Sequence, residues 1–406
     1  MTFRLPLAVL FGVLALLTGA CNDANPVGAD LIGAEGGIPE DARVLISRTD
    51  TVRSRDYTGG TLNGDTLRIN ARRLLAGRVA DPLLGTIEAT GYFDVTSPVA
   101  VGTGRVDTFR TRPITFARLV FRRDTYAYGD TTATLRLRLR ALRDELPGTT
   151  SPSDTTYAVG DVITTFEVRP TADTIRVDLP ASFLAVADTS LRSTKTTTSF
   201  RGFALEAEPG QSAVVRGFTY GSQRAYLLAA SRTDTVRFDV VKVATKMRRV
   251  TPATVPAGRT LLQDGFPLAL SLNPRLDSAG LTGQAVARAS VVLTLDTLAL
   301  QQGTPARFVR GTPTFELVGV DSQGRDVVSA SGLPIVQAVG VRRGNQLVFA
   351  SVTLTLDTQT MALGQTRPIA GYRVRMQSPP NTLAPVFVVT SGENRPRLAV
   401  IYVRTN

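Results

Sequence analysis

The chain lacks histidine and tryptophan and has a single cysteine among its 406 residues. Histidine is the base of Ser-His-Asp triads and a common ligand of zinc and haem iron, so sites that depend on it are excluded. One cysteine cannot form an internal disulfide. The remaining composition, 43% hydrophobic with 35 Gly and 23 Pro, is typical of a folded, turn-rich protein. These absences exclude several chemistries without naming a ligand.

Long apolar runs are scarce as well. Arg4 is followed by an apolar run over residues 5–17, and the small residues of positions 18–20 lead to Cys21. A transmembrane helix needs about 20 apolar residues, so this run is too short to span a bilayer. The order of charged, apolar and small segments predicts a secretory signal peptide over residues 1–20.

The end of this segment resembles the lipobox of bacterial lipoproteins, in which the cysteine is acylated and becomes the first residue. The resemblance implies lipid attachment at Cys21; a buried free thiol is the alternative. Thr18 departs from the pattern, because a leucine usually stands there. Asn22 after the cysteine implies, by analogy, an exported protein anchored in the outer membrane of the bacterial envelope.

Basic residues outnumber acidic residues in the chain. The chain has 46 Lys and Arg against 34 Asp and Glu, a formal charge of +12. Removal of residues 1–20 takes away Arg4 and no acid, which leaves 12 − 1 = +11. An exported protein rarely meets nucleic acid, so none is predicted as a partner. Acidic surface glycans, lipid phosphates or another envelope protein are the expected neighbours, the anionic ones through long-range attraction.

Residues 21–41 are small, Gly-rich and aperiodic, which predicts a flexible tether. Beyond them, apolar and polar residues alternate. In residues 135–140 three Leu and three Arg occupy opposite faces, as in a half-buried strand. Many short strands between turn residues predict an all-β, antiparallel, jelly-roll-like sandwich. Other predicted strands cover residues 44–47, 67–70, 87–95, 117–122, 164–168, 174–179, 200–207, 212–218, 225–229, 235–243, 266–272, 287–295, 314–320, 346–356, 372–376, 386–390 and 397–403.

Two blocks are predicted after the tether. Pro252, Pro256 and Gly258 mark a boundary near residue 250. The first β-sandwich is assigned to residues 42–250 and the second to residues 251–406. Weak internal likeness favours two related sandwiches, and one sandwich extended by the second block is the alternative.

Short motifs spread over nearly the whole mature chain resemble a family of uncharacterised lipoproteins from Bacteroidetes and related bacteria. The matching residues are Cys21-Asn22-Asp23, Pro26, Gly28, Asp30-Leu31, Leu75-Ala76-Gly77, Asp81-Pro82, Gly85, Ala89, Ala117–Phe121, Tyr128-Gly129-Asp130 and Pro396–Tyr402. The resemblance implies a surface lipoprotein with a β-sandwich and names no substrate. The strand from Phe200 to Leu205 also resembles jelly-roll modules that bind carbohydrate, which implies fold but not function.

Several side-chain groups are candidates for a site. Asp-Thr pairs recur but mark strand ends, and no Asp-x-Asp-x-Asp-Gly loop occurs, so neither a metal nor a cofactor is predicted. Glu206 and Glu208 share a strand face, as glycosidase acids could, although two acids on one face are usually just solvated. No catalytic residue is therefore predicted.

Tyr126, Tyr128 and Arg138 are the candidate ligand-binding residues. The two tyrosines could stack on a sugar ring; the alternative is that they cover a sandwich edge with their hydroxyls in water. Arg138 lies in the row of Arg136, Arg138 and Arg140, which could bind an anionic glycan or simply form a charged, solvated strand face.

Three hypotheses follow for function. The leading one is a lipid-anchored, non-enzymatic envelope protein with a structural or adhesive role. The second is a carbohydrate-binding module that holds exopolysaccharide or nutrient glycan. An enzyme is the third, and it would require a pair of acids facing each other across a cleft.

Overall fold

A computed structural model of the protein describes residues 39–53, 61–62, 65–66, 73–147, 155–221, 224–266, 268–276, 279–302, 304–311, 313–330, 334–376 and 383–403, with side chains from residue 73 onward. Cys21, the predicted signal peptide and the predicted strand at residues 67–70 lie outside these ranges. The predicted all-β, antiparallel, sandwich-like class is confirmed. Whether the two blocks are related stays a prediction.

The first body consists of strands from the amino-terminal half. These are β4 (Leu74–Asp81), β5 (Gly85–Val95), β6 (Val99–Ala100), β7 (Phe116–Asp130), β8 (Leu135–Leu142), β9 (Val159–Val168), β10 (Thr174–Asp178), β11 (Phe203–Ala207), β12 (Ala213–Phe218), β13 (Ala225–Ala230) and β14 (Thr235–Arg249). Three helices accompany them: α1 (Val106–Arg110), α2 (Ala181–Arg192) and α3 (Thr196–Ser199).

Two long strands join the facing sheets of the first body. Strand β7 pairs with β13 through residues 116–121 and with β12 through residues 123–129. Strand β14 pairs with β13 through residues 235–239 and with β5 through residues 240–249. Because each strand passes from one sheet to the other, the two sheets enclose a single core.

Alternation along the strands fills this core. Leu135, Leu137 and Leu139 of β8 are buried, whereas the intervening arginines are partly exposed, as the sequence predicted. Helix α2 adds the buried side chains of Phe183 and Leu191 to the same cluster. The periodicity of the strands therefore decides which residues form the core.

The second body is a ring of eight antiparallel strands. The strands are β1 (Pro39–Arg53), β16 (Leu268–Pro274), β17 (Ala285–Thr294), β19 (Phe315–Val320), β20 (Val336–Arg343), β21 (Gln346–Ala350), β22 (Gly371–Met376) and β24 (Arg397–Val403). Their order around the ring is β1-β16-β22-β19-β20-β21-β17-β24, and β24 pairs again with β1. Its apolar core includes Leu272, Val291, Phe315, Tyr372 and Leu398.

The remaining elements are short. They are β2 (Thr61–Leu62), β3 (Asp65–Thr66), β15 (Arg259–Gln263), β18 (Phe308–Val309), β23 (Pro385–Val389), α4 (Thr297–Gln301) and α5 (Val352–Ala362). Strands β15 and β23 pair as a ribbon. Strand β18 leaves the ring and pairs with the end of β7 in the first body.

The β15–β23 ribbon lies between the two bodies. Leu262 and Val388 pack in the core of the ring, while Leu261 and Phe387, one position away, pack in a different cluster shared with the first body. Successive side chains of a strand point to opposite faces, so one ribbon serves both clusters.

Strand β1 differs from the predicted division of the chain. It begins at Pro39, inside the predicted tether, and pairs with β24 through residues 39–45 and with β16 through residues 46–53. The predicted strand at residues 44–47 exists, but it belongs to the ring rather than to a block of residues 42–250. Strand pairing is non-local, so alternation alone could not assign the partner.

The predicted strand over residues 346–356 is wrong in its second half. Strand β21 ends at Ala350, and α5 begins at Val352. The hydroxyl of Ser351 accepts a hydrogen bond of 3.0 Å from the backbone N–H of Leu354, which caps the helix. The alternation of Thr and Leu resembles a strand, but this cap and the burial of Leu354 and Thr358 favour a helix.

Candidate functional site

The two bodies meet at a buried apolar cluster, which we call the junction. The first body contributes Leu75, Val79, Leu84, Ile87, Ala89, Tyr128, Val215 and Met247, and the second contributes Leu261, Phe266, Leu383 and Phe387. Burial of so many apolar side chains on both sides joins the bodies firmly.

A carboxylate lies at the centre of the junction. Asp81, at the end of β4, accepts hydrogen bonds from Nε and Nη2 of Arg310 at 2.8 and 2.9 Å. It also accepts a bond of 2.8 Å from the hydroxyl of Tyr128, and the backbone N–H groups of Leu83 and Leu84 donate to it at 2.9 and 3.0 Å. Burial opposes ionisation, but these donors, Arg310 foremost, hold the pKa of Asp81 below its usual value.

The turn after β4 fixes this carboxylate. Asp81 and Pro82 begin a tight turn in which the Asp side chain caps the next two free amides. Gly85 completes the turn at φ +73°, and a Cβ atom there would lie 2.3 Å from the carbonyl oxygen of Thr251. The position therefore requires glycine.

Arg310 reaches the junction from β18. Phe308 and Arg310 are two residues apart, and the Phe308 ring packs edge-on against Tyr128 at a centroid distance of 6.0 Å. The Arg310 guanidinium also lies 4.9 Å from the Phe308 ring centroid and donates through Nη1 to the carbonyl of Leu300 at 2.8 Å. Arg307, just before β18, has φ +72°, which few non-glycine residues adopt.

The structure corrects the predicted surface role of Tyr126 and Tyr128. Tyr128 is 0% exposed, and its hydroxyl bonds to Asp81. Tyr126 is partly buried beneath Arg73, and its hydroxyl accepts a hydrogen bond of 2.8 Å from the backbone N–H of Leu383. Both hydroxyls are bonded within the protein rather than wet, because the second body covers them. Neither ring offers an open stacking face.

The basic strand β8 lies away from the junction. Arg138 is half-buried opposite Glu206 in the register of β8 and β11. Arg140 donates to the carboxylate of Glu206 at 3.2 Å, and Arg136 donates to Glu167 at 2.9 Å. These pairs neutralise Arg136, Arg140 and Glu206, whereas neither Arg138 nor Glu208 forms an ion pair within the described residues. The structure thus does not bring Arg138 together with the two tyrosines.

A pocket of about 340 Å³ opens beside the junction, on the ring side. This volume is at the lower end of the range of about 300–1,000 Å³ for small-molecule sites. Its apolar lining comes from Leu295, Leu300, Phe308, Pro313, Pro385, Val386 and Phe387. Phe308 is held by its contact with Tyr128, so the first body supports one wall of the pocket.

The polar lining contains one carboxylate, which is already paired. Asp296 accepts a bond of 2.8 Å from Nε of Arg259 and one of 3.0 Å from the backbone N–H of Ala299. These donors hold the pKa of Asp296 below its usual value. A carboxylate stabilised as an anion in this way is a poor proton donor.

Two guanidinium groups line the same pocket with different surroundings. Arg310 is neutralised by Asp81. Arg342, near the end of β20, is exposed and donates through Nε to the carbonyl of Gly344 at 3.1 Å. Across the described ranges no carboxylate forms an ion pair with Arg342. Sequence reasoning missed both the pocket and the junction beside it; the Asp81-Pro82 turn is a sequence signal for the junction alone.

The side chains from residue 73 onward that the structure describes contain no group of three or more Cys, Asp and Glu residues able to hold a metal ion. None of the helices in the described ranges combines the length and the apolar character needed to cross a bilayer. In comparisons with known proteins, no protein-family model matches the chain, and no curated protein matches it.

Proposed function

We propose that the protein is a lipid-anchored, non-enzymatic component of the bacterial cell envelope with a structural or adhesive role. The observation that carries this proposal is the junction, where a buried ion pair and an apolar cluster fix two β bodies to each other. Two β bodies held rigidly to each other suit a structural or adhesive protein. The signal-like segment that ends at Cys21 supports the anchor.

The position of β1 is consistent with such an anchor. Pro39 pairs with Val403 in the ring, so the chain from Cys21 enters the fold at the ring. The link covers 39 − 21 = 18 residue steps, at most about 60 Å when fully extended. An acylated Cys21 would attach the protein to the membrane through the end of the ring at which β1 begins.

Of the two acids that the sequence suggests for a glycosidase pair, Glu206 has a cationic partner, and so has the carboxylate that lines the pocket. Glu206 is paired with Arg140, and Asp296 with Arg259. Such pairing favours a structural role over proton transfer, because a general acid needs a raised pKa. The excess of positive charge fits an envelope rich in anionic lipids and glycans.

The anchor is tested by fractionation of the native host. Wild-type protein should partition with membranes, and mass spectrometry of its N-terminal peptide should show an acylated Cys21. The Cys21→Ser variant should be released in soluble form. Wild-type protein that is soluble and carries an unmodified N-terminus would overturn the anchor, and protease treatment of intact cells would report exposure at the surface.

A carbohydrate-binding role is the second candidate, and the pocket beside the junction favours it. Apolar rings and prolines next to hydroxyl and amide groups match the mixed surface of a sugar. A glycan array probed with wild-type protein should give binding that the double variant Thr297→Val, Gln301→Ala loses. An array without binding to any glycan would contradict this second role.

A further inference from the structure

The charges around the pocket do not cancel. Asp296 is matched by Arg259, and Arg310 by Asp81. Arg342 contributes a positive charge that no described carboxylate neutralises, and its Nη groups have no hydrogen bond to any described residue. The pocket therefore presents one net positive charge to a ligand.

Two polar side chains are also available to a ligand. Thr297 and Gln301 lie one turn apart on α4, so they share a face of that helix. Neither side chain forms a hydrogen bond with the described residues, and both line the pocket. By contrast, Thr304 accepts from Arg310 and donates to the carbonyl of Leu300, so its hydroxyl is engaged.

The apolar lining of the pocket sets a third condition on a ligand, beside the positive charge and the two polar side chains. Phe308, Leu300 and Pro313 are partly exposed and line it. A ligand that fits must therefore carry one anionic group, hydroxyl groups and an apolar face. A planar guanidinium matches the two oxygens of a carboxylate.

We propose that this pocket binds a uronic acid residue of an acidic glycan. The sugar carboxylate pairs with Arg342, its hydroxyl groups bond to Thr297 and Gln301, and its C–H face packs on Phe308. This inference rests on the carbohydrate-binding role proposed above and specifies its ligand class.

The test is titration calorimetry of the purified protein with galacturonic acid oligomers, and with neutral galactose oligomers as the comparison. Wild-type protein should bind the acidic oligomer saturably and the neutral one at least tenfold more weakly. Arg342→Gln should weaken binding of the acidic oligomer at least tenfold. Arg343→Gln is the matched control, because Arg343 is exposed on the same strand and does not line the pocket.

The outcomes distinguish failure of the uronic acid proposal from failure of the carbohydrate-binding role on which it rests. Equal losses in Arg342→Gln and Arg343→Gln would reveal non-specific attraction and overturn the pocket assignment. Binding of neutral oligomers that is as tight as that of acidic ones would overturn the uronic acid and leave carbohydrate binding standing. Binding to no glycan would overturn both. Thermal melts of each variant establish that the fold is retained, which is expected because Arg342 is exposed.

Discussion

Asp81 at the junction and Asp94 in the first body are both buried, with 3% and 1% of their surfaces exposed, yet their pKa values shift in opposite directions. Asp81 accepts hydrogen bonds from Arg310, Tyr128 and two backbone amides. Asp94 accepts one from the backbone N–H of Val95 at 2.7 Å and has Lys242 at 3.9 Å.

Burial raises the pKa of Asp94 to about 6, and its few donors only partly offset that effect. At Asp81 the donors outweigh burial, and the pKa falls. The number and closeness of donors therefore decide in which direction the pKa of a buried carboxylate shifts, and burial alone does not. The junction stabilises its anion, whereas the site of Asp94 disfavours one.

Of the changes considered, removal of the Arg310 cation from the junction should lower the free energy of unfolding the most. Arg310→Ala leaves the Asp81 carboxylate buried without its counter-charge, and removal of one partner from such a pair costs about 3–5 kcal/mol. Denaturant unfolding at pH 7 should show a loss of that size. The exposed Arg343→Ala control should change the free energy of unfolding by no more than about 0.5 kcal/mol. A loss in Arg310→Ala below about 1 kcal/mol would show that the ion pair does not hold the junction.

Removal of the charge from Asp94 should stabilise the folded protein instead of destabilising it. The folded pKa lies above the value of about 4 expected in the unfolded chain, so folding binds a proton between about pH 4 and 6. Wild-type stability should therefore fall as the pH rises through that window. Asp94→Asn should raise the free energy of unfolding by about 2 kcal/mol at pH 7.5, with no gain below about pH 4.

Urea unfolding across pH 4 to 8 measures this dependence. Asp161→Asn, on the exposed side of β9, is the matched control and should leave the pH profile unchanged. A variant at Asp94 that is less stable than wild type at pH 7.5 would show that Lys242 compensates the buried charge fully.

The smallest effect should come from the removal of a single donor at the junction. Tyr128→Phe takes one hydrogen bond from Asp81 while Arg310 and the two amides remain, so the expected loss of stability is about 1 kcal/mol. Tyr226→Phe serves as the control, because its hydroxyl bonds to no described residue. Unchanged stability in Tyr128→Phe would mean that the other donors already saturate the carboxylate.

The alternation of side chains predicted most of the strands correctly, because burial of one strand face is a local property of the sequence. The row of Leu and Arg in β8 is the clearest case. Alternation wrongly predicted a strand over residues 352–356, where a cap by Ser351 favours a helix. It also could not indicate that β1 belongs to the ring, since its partners lie hundreds of residues away.

Most contacts of the junction could not be predicted from the sequence. The sequence pattern of Tyr126 and Tyr128 suggested an exposed aromatic patch, but Leu383, which bonds to Tyr126, and Arg310, which bonds to the Asp81 partner of Tyr128, come from the other body. The Tyr126–Leu383 contact spans 257 residues, and the Asp81–Arg310 contact spans 229. Nothing near either tyrosine in the sequence indicates such partners.

The sequence by itself determined the all-β class, the inward faces of most strands and the chemistries that lack of histidine excludes. Only the tertiary structure decided which strands close the ring, in which direction the pKa of a buried carboxylate shifts, and where an arginine that pairs with no described carboxylate lines a pocket. The physical reason is that alternation and turn chemistry act over a few residues, whereas pairing, burial and electrostatic balance depend on groups that folding brings together.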